Sequence, residues 1–438
     1  MFKKLSVFII AAVLTASMAA CGIQNKESSS TSADGNSSSQ SSVSESSAEK
    51  SESKSESKSE SSGVITTAKT TSGGAIDTTD LFTERDLTQT ADTTDAKTYT
   101  VSDGENINIT AAGVYILTGS AKNVTVSVEA GDEDKVQLVL DGLTLTNDSS
   151  PAIYVKNADK VFVTTTEGSE NSLTVSGSFT ADGETNTDAV IFSKDDLVLN
   201  GQGTLKISST DNAVSCKDDL KITGGTINVE CTSDAFEANE SISVADGNIT
   251  INSQKDGLHA ENDEDNTTGS IYICGGTINI TAGSDGIQAT TVAQIDDGTI
   301  TTSSSEGIEA TYVQINGGKI SISATDDGIN AAAKSTAQSV KVEINGGEVT
   351  IDMGQGDTDG IDSNGDILIT GGTVDITGQS TFDYDGTAEK TGGTLIINGE
   401  ETDTIPNQMM GGGGMGGGMQ PGQDGGEMPQ NGGGFGMR

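Results

Sequence analysis

Acidic side chains recur at one position of this 438-residue chain and could together bind metal ions. Eight times, an acidic residue or asparagine followed by a small residue precedes a short apolar stretch. The pairs are Asp188-Ala189, Asn212-Ala213, Asp234-Ala235, Asp256-Gly257, Asp285-Gly286, Glu306-Gly307, Asp327-Gly328 and Asp359-Gly360. Three residues further on, from the second pair onward, stand Ser215, Glu237, His259, Gln288, Glu309, Asn330 and Asp362. The predicted metal ligands are the acidic members Asp234, Glu237, Asp256, Asp285, Glu306, Glu309, Asp327, Asp359 and Asp362.

Stacking these positions in a sheet would bring their carboxylates about 4.8 Å apart. Two unit charges about 4 Å apart repel by roughly 1 kcal/mol in bulk water and about 4 kcal/mol at an effective dielectric of 20. Raised pKa values, side chains that splay into solvent, or bound cations would relieve this repulsion. Ca²⁺ is the predicted cofactor, because it accepts six to eight oxygen ligands in flexible geometry. The alternative is a solvated row of turn residues, since Asp and Gly are common in turns.

The sequence offers few residues for other chemistry. His259 is the only histidine, so one Ser-His-Asp or Cys-His site could exist at most, and no nucleophile elbow accompanies it. We predict no catalytic residue and expect His259 to be a member of the row. Beyond Cys21, the cysteines are Cys216, Cys231 and Cys274. Their odd number and lack of C-x-x-C spacing predict small core residues without a disulfide bond.

The elements that position these residues repeat along the chain. The segment GGTINV at 224–229 returns as DGNITI at 246–251 and as GGTINI at 275–280. Further copies begin at Asp297, Gly317, Gly346, Gly371 and Gly392, and a looser copy spans 201–207. Successive second glycines are 22, 22, 29, 22, 20, 29, 25 and 21 residues apart. A unit of this length with occasional insertions indicates a repeat architecture.

Each unit contains three short strand-like segments, as at 226–229, 235–238 and 242–244. Alternating polar and apolar residues favour strands, and no helical period recurs in the unit. Three strands per coil predict an all-β fold, a parallel β-helix that buries Ile and Val between coils. We expect the right-handed form, because parallel crossovers are overwhelmingly right-handed. The Gly-Gly pairs are predicted corners where φ is positive.

The ends of the chain predict export and anchoring. Residues 1–20 resemble a bacterial lipoprotein signal peptide, with Lys3 and Lys4 ahead of a short apolar run, and Cys21 is the predicted lipidation site. An ordinary signal peptide cut nearby is the alternative. We expect residues 21–78 to form a disordered Ser/Glu/Lys-rich tether. Residues 79–400 are the predicted β-helix domain, with irregular coils and a cap at 79–180, and 401–438 a disordered Gly/Met-rich tail. The predicted location is the extracellular face of the cell membrane.

The charge of −42 excludes nucleic acid as a natural partner, because phosphate binding needs clustered Lys and Arg. It also opposes unaided contact with an anionic membrane surface, so the membrane contact predicted here is the lipid anchor.

Three further motifs suggest a family. They are TERDL at 83–87, GVYILTG at 113–119 and VLDGL at 139–143, found together with the Asp-Gly-Ile rungs, the Gly-Gly corners and the Gly/Met-rich tail. From about residue 80 onward the chain resembles the exported clostridial carbohydrate-binding domain-containing proteins, right-handed β-helices similar to pectate lyases. The resemblance implies calcium along the coils and binding of polygalacturonate, with cellulose as an additional candidate. The chain has no tryptophan and so lacks the flat aromatic platform typical of cellulose binding.

Three functions follow from these observations. The first is calcium-dependent binding of acidic, pectin-like cell-wall polysaccharide, in which cations bridge two negative partners. The second is a polysaccharide lyase acting on polygalacturonate, with a base among Lys194, Lys217, Lys255 and Lys334, which stand beside the acidic positions. The third is a non-catalytic structural surface or coat protein. Lysines beside acids are more often counterions than bases, so the residues favour binding over catalysis.

Overall fold

A computed structural model describes residues 64–68, 74–355 and 358–408 of the chain. The described residues belong to one compact unit. The signal peptide, Cys21, most of the predicted tether and the tail beyond residue 408 lie outside the described residues. Among the residues described, no helix is long and apolar enough to span a membrane.

The described chain contains one short helix, α1 (Glu84–Leu87), and 34 strands. In chain order the first seventeen strands are β1 (Lys97–Thr100), β2 (Ile107–Ile109), β3 (Gly113–Lys122), β4 (Val126–Glu129), β5 (Lys135–Asn147), β6 (Ile153–Asn157), β7 (Lys160–Thr165), β8 (Glu170–Val175), β9 (Ala189–Ser193), β10 (Asp196–Gly201), β11 (Thr204–Ser209), β12 (Asn212–Cys216), β13 (Asp219–Ile222), β14 (Thr226–Cys231), β15 (Phe236–Ala238), β16 (Ser241–Val244) and β17 (Asn248–Ser253). The remaining strands are β18 (Leu258–Ala260), β19 (Ser270–Thr281), β20 (Asp285–Ala289), β21 (Val292–Ser304), β22 (Glu306–Ala310), β23 (Tyr312–Ile315), β24 (Lys319–Ala324), β25 (Ile329–Ala331), β26 (Lys341–Ile344), β27 (Glu348–Met353), β28 (Asp359–Ser363), β29 (Asp366–Ile369), β30 (Thr373–Thr377), β31 (Ser380–Tyr384), β32 (Ala388–Lys390), β33 (Thr394–Ile397) and β34 (Glu400–Thr402).

Strands at the same place in successive repeats pair in parallel. Strand β15 pairs with β12 and β18, and its neighbours β14 and β16 pair with β17 and β19 in the same way. One sheet of twelve strands contains β15 and its equivalents, and a second sheet of 22 strands contains the other two strands of each repeat. The prediction of an all-β fold with parallel strands is therefore confirmed, and the pattern is β-helix-like.

The predicted corners join the third strand-like segment of one unit to the first segment of the next, and their glycines lie in the left-handed region. Gly225, Gly276 and Gly372 have φ values of 87°, 85° and 75°. A Cβ at Gly276 would lie 3.0 Å from the carbonyl oxygen of Gly247 in the preceding coil. These corners therefore need glycine both for its backbone conformation and for the close approach of adjacent coils.

Apolar side chains stack in columns through the middle of the coils. One column aligns Leu205, Ile227, Ile249, Ile278, Ile300, Ile320, Val349, Val374 and Leu395 in register. No member is more than 3% exposed. Full burial of each such side chain stabilises the fold by roughly 1.5–3 kcal/mol, so the column holds the coils together and fixes their register.

The chain ahead of β1 packs along the outside of the coils. The backbone N–H of Ile76 donates to Gln294 Oε1 at 2.7 Å, and Lys221 Nζ donates to the carbonyl oxygen of Leu81 at 2.7 Å. The buried Asp86 in α1 lies 3.5 Å from Lys160 Nζ and 3.6 Å from Lys221 Nζ. These contacts begin within the range predicted as tether, so the packed part of the chain starts ahead of residue 79.

The thiols of Cys216, Cys231 and Cys274 are buried, and none of them forms a disulfide bond. This agrees with the prediction of small core residues. Burial also raises the pKa of the Cys231 thiol to about 12, so the thiol is protonated and unreactive at neutral pH.

Candidate functional site

The predicted ligands lie in two parallel rows on the twelve-stranded sheet. The corner row comprises Asn212, Asp234, Asp256, Asp285, Glu306, Asp327 and Asp359, which lie two residues before the core positions aligned along this sheet. The outward row comprises Asn108, Ser127, Tyr154, Phe192, Ser215, Glu237, His259, Gln288, Glu309, Asn330, Asp362 and Asp383. All nine predicted acidic residues belong to these rows. Asp188 does not, because Ala189 stands opposite Asn212.

Side chains of the corner row hold successive coils together where they accept a hydrogen bond from a backbone N–H of the next coil. The N–H of Asp256 donates to Asp234 Oδ1 at 2.9 Å, and the N–H of Asp285 donates to Asp256 Oδ1 at 2.8 Å. Asn212 accepts in the same way from the N–H of Asp234 at 3.0 Å. One carboxylate oxygen of each such rung is therefore used structurally, which explains why asparagine can replace aspartate in this row. The second oxygens of Asp234 and Asp256 face His259 Nδ1, at 3.3 Å and 3.5 Å.

Three carboxylates meet where this pattern of hydrogen bonds stops. Asp285, Glu306 and Glu309, the carboxylate cluster, each offer an oxygen within 4.8 Å of the other two. Asp285 is 7% exposed and Glu309 is 8% exposed. Within the described chain, no backbone N–H donates to the Asp285 carboxylate. The cluster therefore concentrates negative charge in a poorly solvated place.

The pKa values in the carboxylate cluster reflect this concentration of charge. Burial and the charges of Asp256 and Glu306 raise the pKa of Asp285 to about 8. Burial and the Glu309 charge raise the pKa of Glu306 to about 7. Because both causes disfavour the ionised forms, the cluster takes up protons near neutral pH unless a cation is bound.

Two neighbouring side chains contact the carboxylate cluster. Lys334 Nζ forms an ion pair with Glu309. In the orientation that satisfies both ends of its amide, Gln288 donates to Asp285 Oδ2 at 3.1 Å and to Asp256 Oδ2 at 3.2 Å, and accepts from Lys334 Nζ at 3.0 Å. One ammonium group thus faces three carboxylates, which leaves the cluster with an excess of negative charge.

The carboxylate cluster fits a calcium ion by the chemistry of its donors. All three side chains offer hard oxygen ligands, which calcium prefers. The Oδ1 atom of Asn330, the next residue of the outward row after Glu309, is buried without a hydrogen-bond partner. The Nδ2 atom of the same amide donates to Glu306 Oε2 at 3.1 Å, so the side chain lies against the cluster. Its orphaned carbonyl oxygen is a buried polar atom that a bound cation would satisfy, since such atoms otherwise cost stability.

The sequence also matches known proteins. The model of a family described as carbohydrate-binding domain-containing protein matches residues 103–360 and 301–404, well over half of the chain. The chain belongs to this family. This confirms the family suggested by the sequence motifs.

Two related proteins show how far the similarity extends. A carbohydrate-binding domain-containing protein of Acetivibrio thermocellus is 44% identical over 194 residues, which are 44% of this chain and 68% of the relative. A solved structure of a polysaccharide lyase-like protein from C. thermocellum, a gadolinium derivative, is 28% identical. That match covers 51% of this chain and 93% of the solved chain, with a TM-score of 0.44.

At Asp234 and Asp256, the corner row has a histidine, His259, as a counterion. His259 Nδ1 lies 3.3 Å from Asp234 Oδ2 and 3.5 Å from Asp256 Oδ2, and its Nε2 lies 3.0 Å from Glu261 Oε2. Burial opposes protonation, but the hydrogen bond and charge of Asp234, with the other two carboxylates, raise the pKa of His259 to about 9. The imidazolium therefore neutralises one negative charge of this part of the row. Against the effect of burial, the hydrogen bond of the imidazolium lowers the pKa of Asp234, whereas burial raises the pKa of Asp256.

The other predicted ligands are dispersed among polar partners. Glu237 accepts from Asn212 Nδ2 at 2.8 Å and pairs with Lys217 Nζ at 3.2 Å. Asp327 accepts the backbone N–H of Asp359 at 3.1 Å. Burial, with the Asp362 charge, raises the pKa of Asp327 to about 7. These residues continue the row on either side of the carboxylate cluster.

A third acidic group, which sequence reasoning missed, lies outside the two rows. Asp196, Asp218 and Asp219 each offer an oxygen within 4.8 Å of the others. Lys160 Nζ lies 3.2 Å from Asp196. The sequence signal for this acidic group is the segment KDDL, which occurs at 194–197 and again at 217–220. The two copies lie side by side in the sheet, with Leu197 aligned with Leu220.

Proposed function

We propose that this protein binds acidic, pectin-like cell-wall polysaccharide through calcium ions held at the carboxylate cluster. The observation that carries the proposal is the meeting of Asp285, Glu306 and Glu309 within 4.8 Å. These residues offer one oxygen ligand each within that distance. Because calcium accepts six to eight, positions remain for the carboxylate and hydroxyl oxygens of a sugar.

The overall charge explains why the cation and the ligand belong together in this proposal. A chain of formal charge −42 repels a polyuronate, whose charges are of the same sign. Calcium that is ligated by both partners would reverse this repulsion locally, so polysaccharide binding should depend strictly on the ion. Because calcium displaces protons from carboxyl groups with raised pKa values, binding near pH 7 should also release protons.

The outward row offers more than one place for this contact. Equivalent positions stand about 4.8 Å apart along the axis, a spacing comparable to the length of one sugar residue. A polysaccharide chain parallel to the axis would therefore present successive carboxylates to successive rungs. Beyond the carboxylate cluster, Asp327 and Asp359 of the corner row and Asp362 of the outward row are proposed as additional, weaker ligands.

Binding is favoured over catalysis because two of the four candidate lysines already have acidic partners. Lys217 lies 3.2 Å from Glu237, and Lys334 pairs with Glu309. One observation supports a polysaccharide lyase as the second candidate. A cleft of about 480 Å³ brings Lys217, His259 and Glu261 together, and one of these groups, in its deprotonated form, could act as a base on a uronate held by calcium.

We propose that the repeat domain is a right-handed parallel β-helix, supported by parallel pairing of equivalent strands in successive coils. We also propose that Cys21 is lipidated and anchors the protein at the extracellular face of the cell membrane. The polar segment at 21–78 would then set the distance of the domain from the membrane.

Retention on a polygalacturonate gel, with calcium and with chelator, tests the proposed function. We expect retention only with calcium, and its loss in the double variant Asp285→Asn/Glu309→Gln. The matched control, Glu230→Gln/Asp352→Asn, removes two exposed acidic residues from the other sheet and should be retained. Retention that survives chelator would refute calcium dependence, and accumulation of unsaturated uronate would establish the lyase.

A further inference from the structure

A second cleft lies on the same outward row, near its first coils. Its volume is about 330 Å³, and Asn108, Ser127, Tyr154, Lys156 and Asp182 contribute to its lining. Binding pockets for small ligands typically have volumes of about 300–1,000 Å³. Asn108, Ser127 and Tyr154 are consecutive members of the outward row, so the cleft shares a face with the carboxylate cluster.

The far wall of this cleft is an insertion at 176–188, between β8 and β9. The backbone N–H of Thr180 donates to the carbonyl oxygen of Ser149 at 2.9 Å, and Thr187 Oγ1 donates to the carbonyl oxygen of Thr180 at 3.0 Å. Lys156 Nζ pairs with Asp182 Oδ2 at 2.7 Å. The contacts with Ser149 and Lys156 hold the insertion against the first coils, and the contact between Thr187 and Thr180 closes the insertion on itself. The cleft is therefore formed by the fold rather than by a free loop.

The polar groups on the floor of the cleft are available to a ligand. Asn108 is exposed and Ser127 is half-buried, and neither side chain forms a hydrogen bond with another residue of the described chain. Asn106 uses its Oδ1 to accept the N–H of Thr125 at 2.9 Å, which leaves its amide N–H groups for a ligand. Amide and hydroxyl groups both donate and accept, which suits the hydroxyl groups of a sugar.

The charge of the cleft selects the kind of sugar. Lys156 and Asp182 are the charged residues of its lining, and they neutralise each other. In contrast to the carboxylate cluster, the cleft neither attracts calcium nor offers a free cation to a uronate. A neutral pyranose would meet hydrogen-bonding groups without desolvating an unpaired charge, a penalty that a uronate would incur here.

We propose that this cleft binds neutral sugar residues without calcium and forms a second subsite for the polysaccharide. The inference rests on the proposed function, because it takes the ligand to be a saccharide. From Tyr154 to Glu309 the outward row advances six rungs, or about 29 Å at about 4.8 Å per rung. A polysaccharide with both neutral and acidic stretches could therefore occupy both sites, and the two contacts would reinforce each other.

Calorimetric titration of the full chain with cellohexaose, xylohexaose and mannohexaose, in chelator, tests this inference. We expect at least one of these neutral oligosaccharides to bind. The double variant Asn108→Ala/Ser127→Ala removes two hydrogen-bonding groups from the floor of the cleft, and should weaken that binding roughly tenfold or more. The control Asn279→Ala removes an equally exposed strand asparagine on the other sheet and should bind normally.

The Asp285→Asn/Glu309→Gln variant separates this inference from the proposed function. It should bind the neutral oligosaccharide as the wild type does, while losing calcium-dependent retention on polygalacturonate. Failure of all three neutral sugars to bind, or equal weakening by Asn279→Ala, would overturn the inference and leave calcium-dependent binding unaffected. Neutral sugar binding that requires calcium would also overturn it. Absence of polygalacturonate binding alone would refute only the proposed function.

Discussion

Asp285→Asn is expected to stabilise the calcium-free protein and to remove most of its stabilisation by calcium. Asp285 is 7% exposed, and no backbone N–H in the described chain donates to its carboxylate. Burial and the charges of Asp256 and Glu306 raise its pKa from 3.8 to about 8. Asparagine has nearly the same shape but no charge, so the cost of placing a carboxylate here disappears.

The size of this effect depends on pH. Because the folded-state pKa is the higher one, the folded protein binds more protons than the unfolded chain between about pH 4 and pH 8. The wild type therefore loses up to about 1.4 kcal/mol of stability per pH unit as the pH rises through this window. At pH 7 the stability that the wild type loses through Asp285 is at most about 4 kcal/mol. Since Gln288 donates to this carboxylate in the wild type, we expect a gain of about 1–4 kcal/mol at pH 7 and none near pH 4.

Guanidinium unfolding of the full chain in chelator, from pH 4 to pH 8, measures this gain. Asp352→Asn, at an exposed position of β27, is the matched control and should change stability by less than about 0.5 kcal/mol. In calcium, the wild type should gain about 2.7 kcal/mol at a hundredfold excess over Kd, and Asp285→Asn clearly less. A variant no more stable than the wild type at pH 7, or a gain that does not change with pH, would refute the reasoning.

Two further substitutions test the coil contacts by thermal unfolding. Asp256→Ala removes the oxygen that accepts the backbone N–H of Asp285 at 2.8 Å, and should lower the free energy of unfolding by about 1–3 kcal/mol. Asp256→Asn keeps an acceptor and should lower it less. Equal losses of stability in the two variants would contradict this role. Gly372→Ala should lower the stability of the protein by at least about 1 kcal/mol more than Gly142→Ala does. Both glycines have positive φ, but only at Gly372 would a Cβ lie 2.7 Å from the backbone of Gly346. Equal melting temperatures would show that close approach of the coils does not matter.

The repeating features of this protein could be predicted from its sequence. Alternation of polar and apolar residues determined the strands, because side chains of a strand point to opposite faces. The spacing of the Gly-Gly pairs located corners such as that at Gly276, and the recurring acidic residue placed Asp234 and Asp285 in one row. These features are local and recur in every coil, so each copy supports the prediction made from the others.

The tertiary structure decided which of these residues interact. Asp234 and Asp285 occupy equivalent positions, but His259 neutralises the first, while the second meets Glu306 and Glu309 without a histidine. That difference depends on single residues of neighbouring coils and on side-chain directions, which the repeat does not specify. The repeat also did not show that Asp188 is one residue out of register with the corner row. The length of the insertion before it does not determine the path that the inserted residues follow. The course of the chain ahead of β1 and the insertion at 176–188 likewise depend on contacts between residues distant in sequence. The sequence by itself therefore determined the periodic framework, and long-range packing decided where charge accumulates and where clefts form.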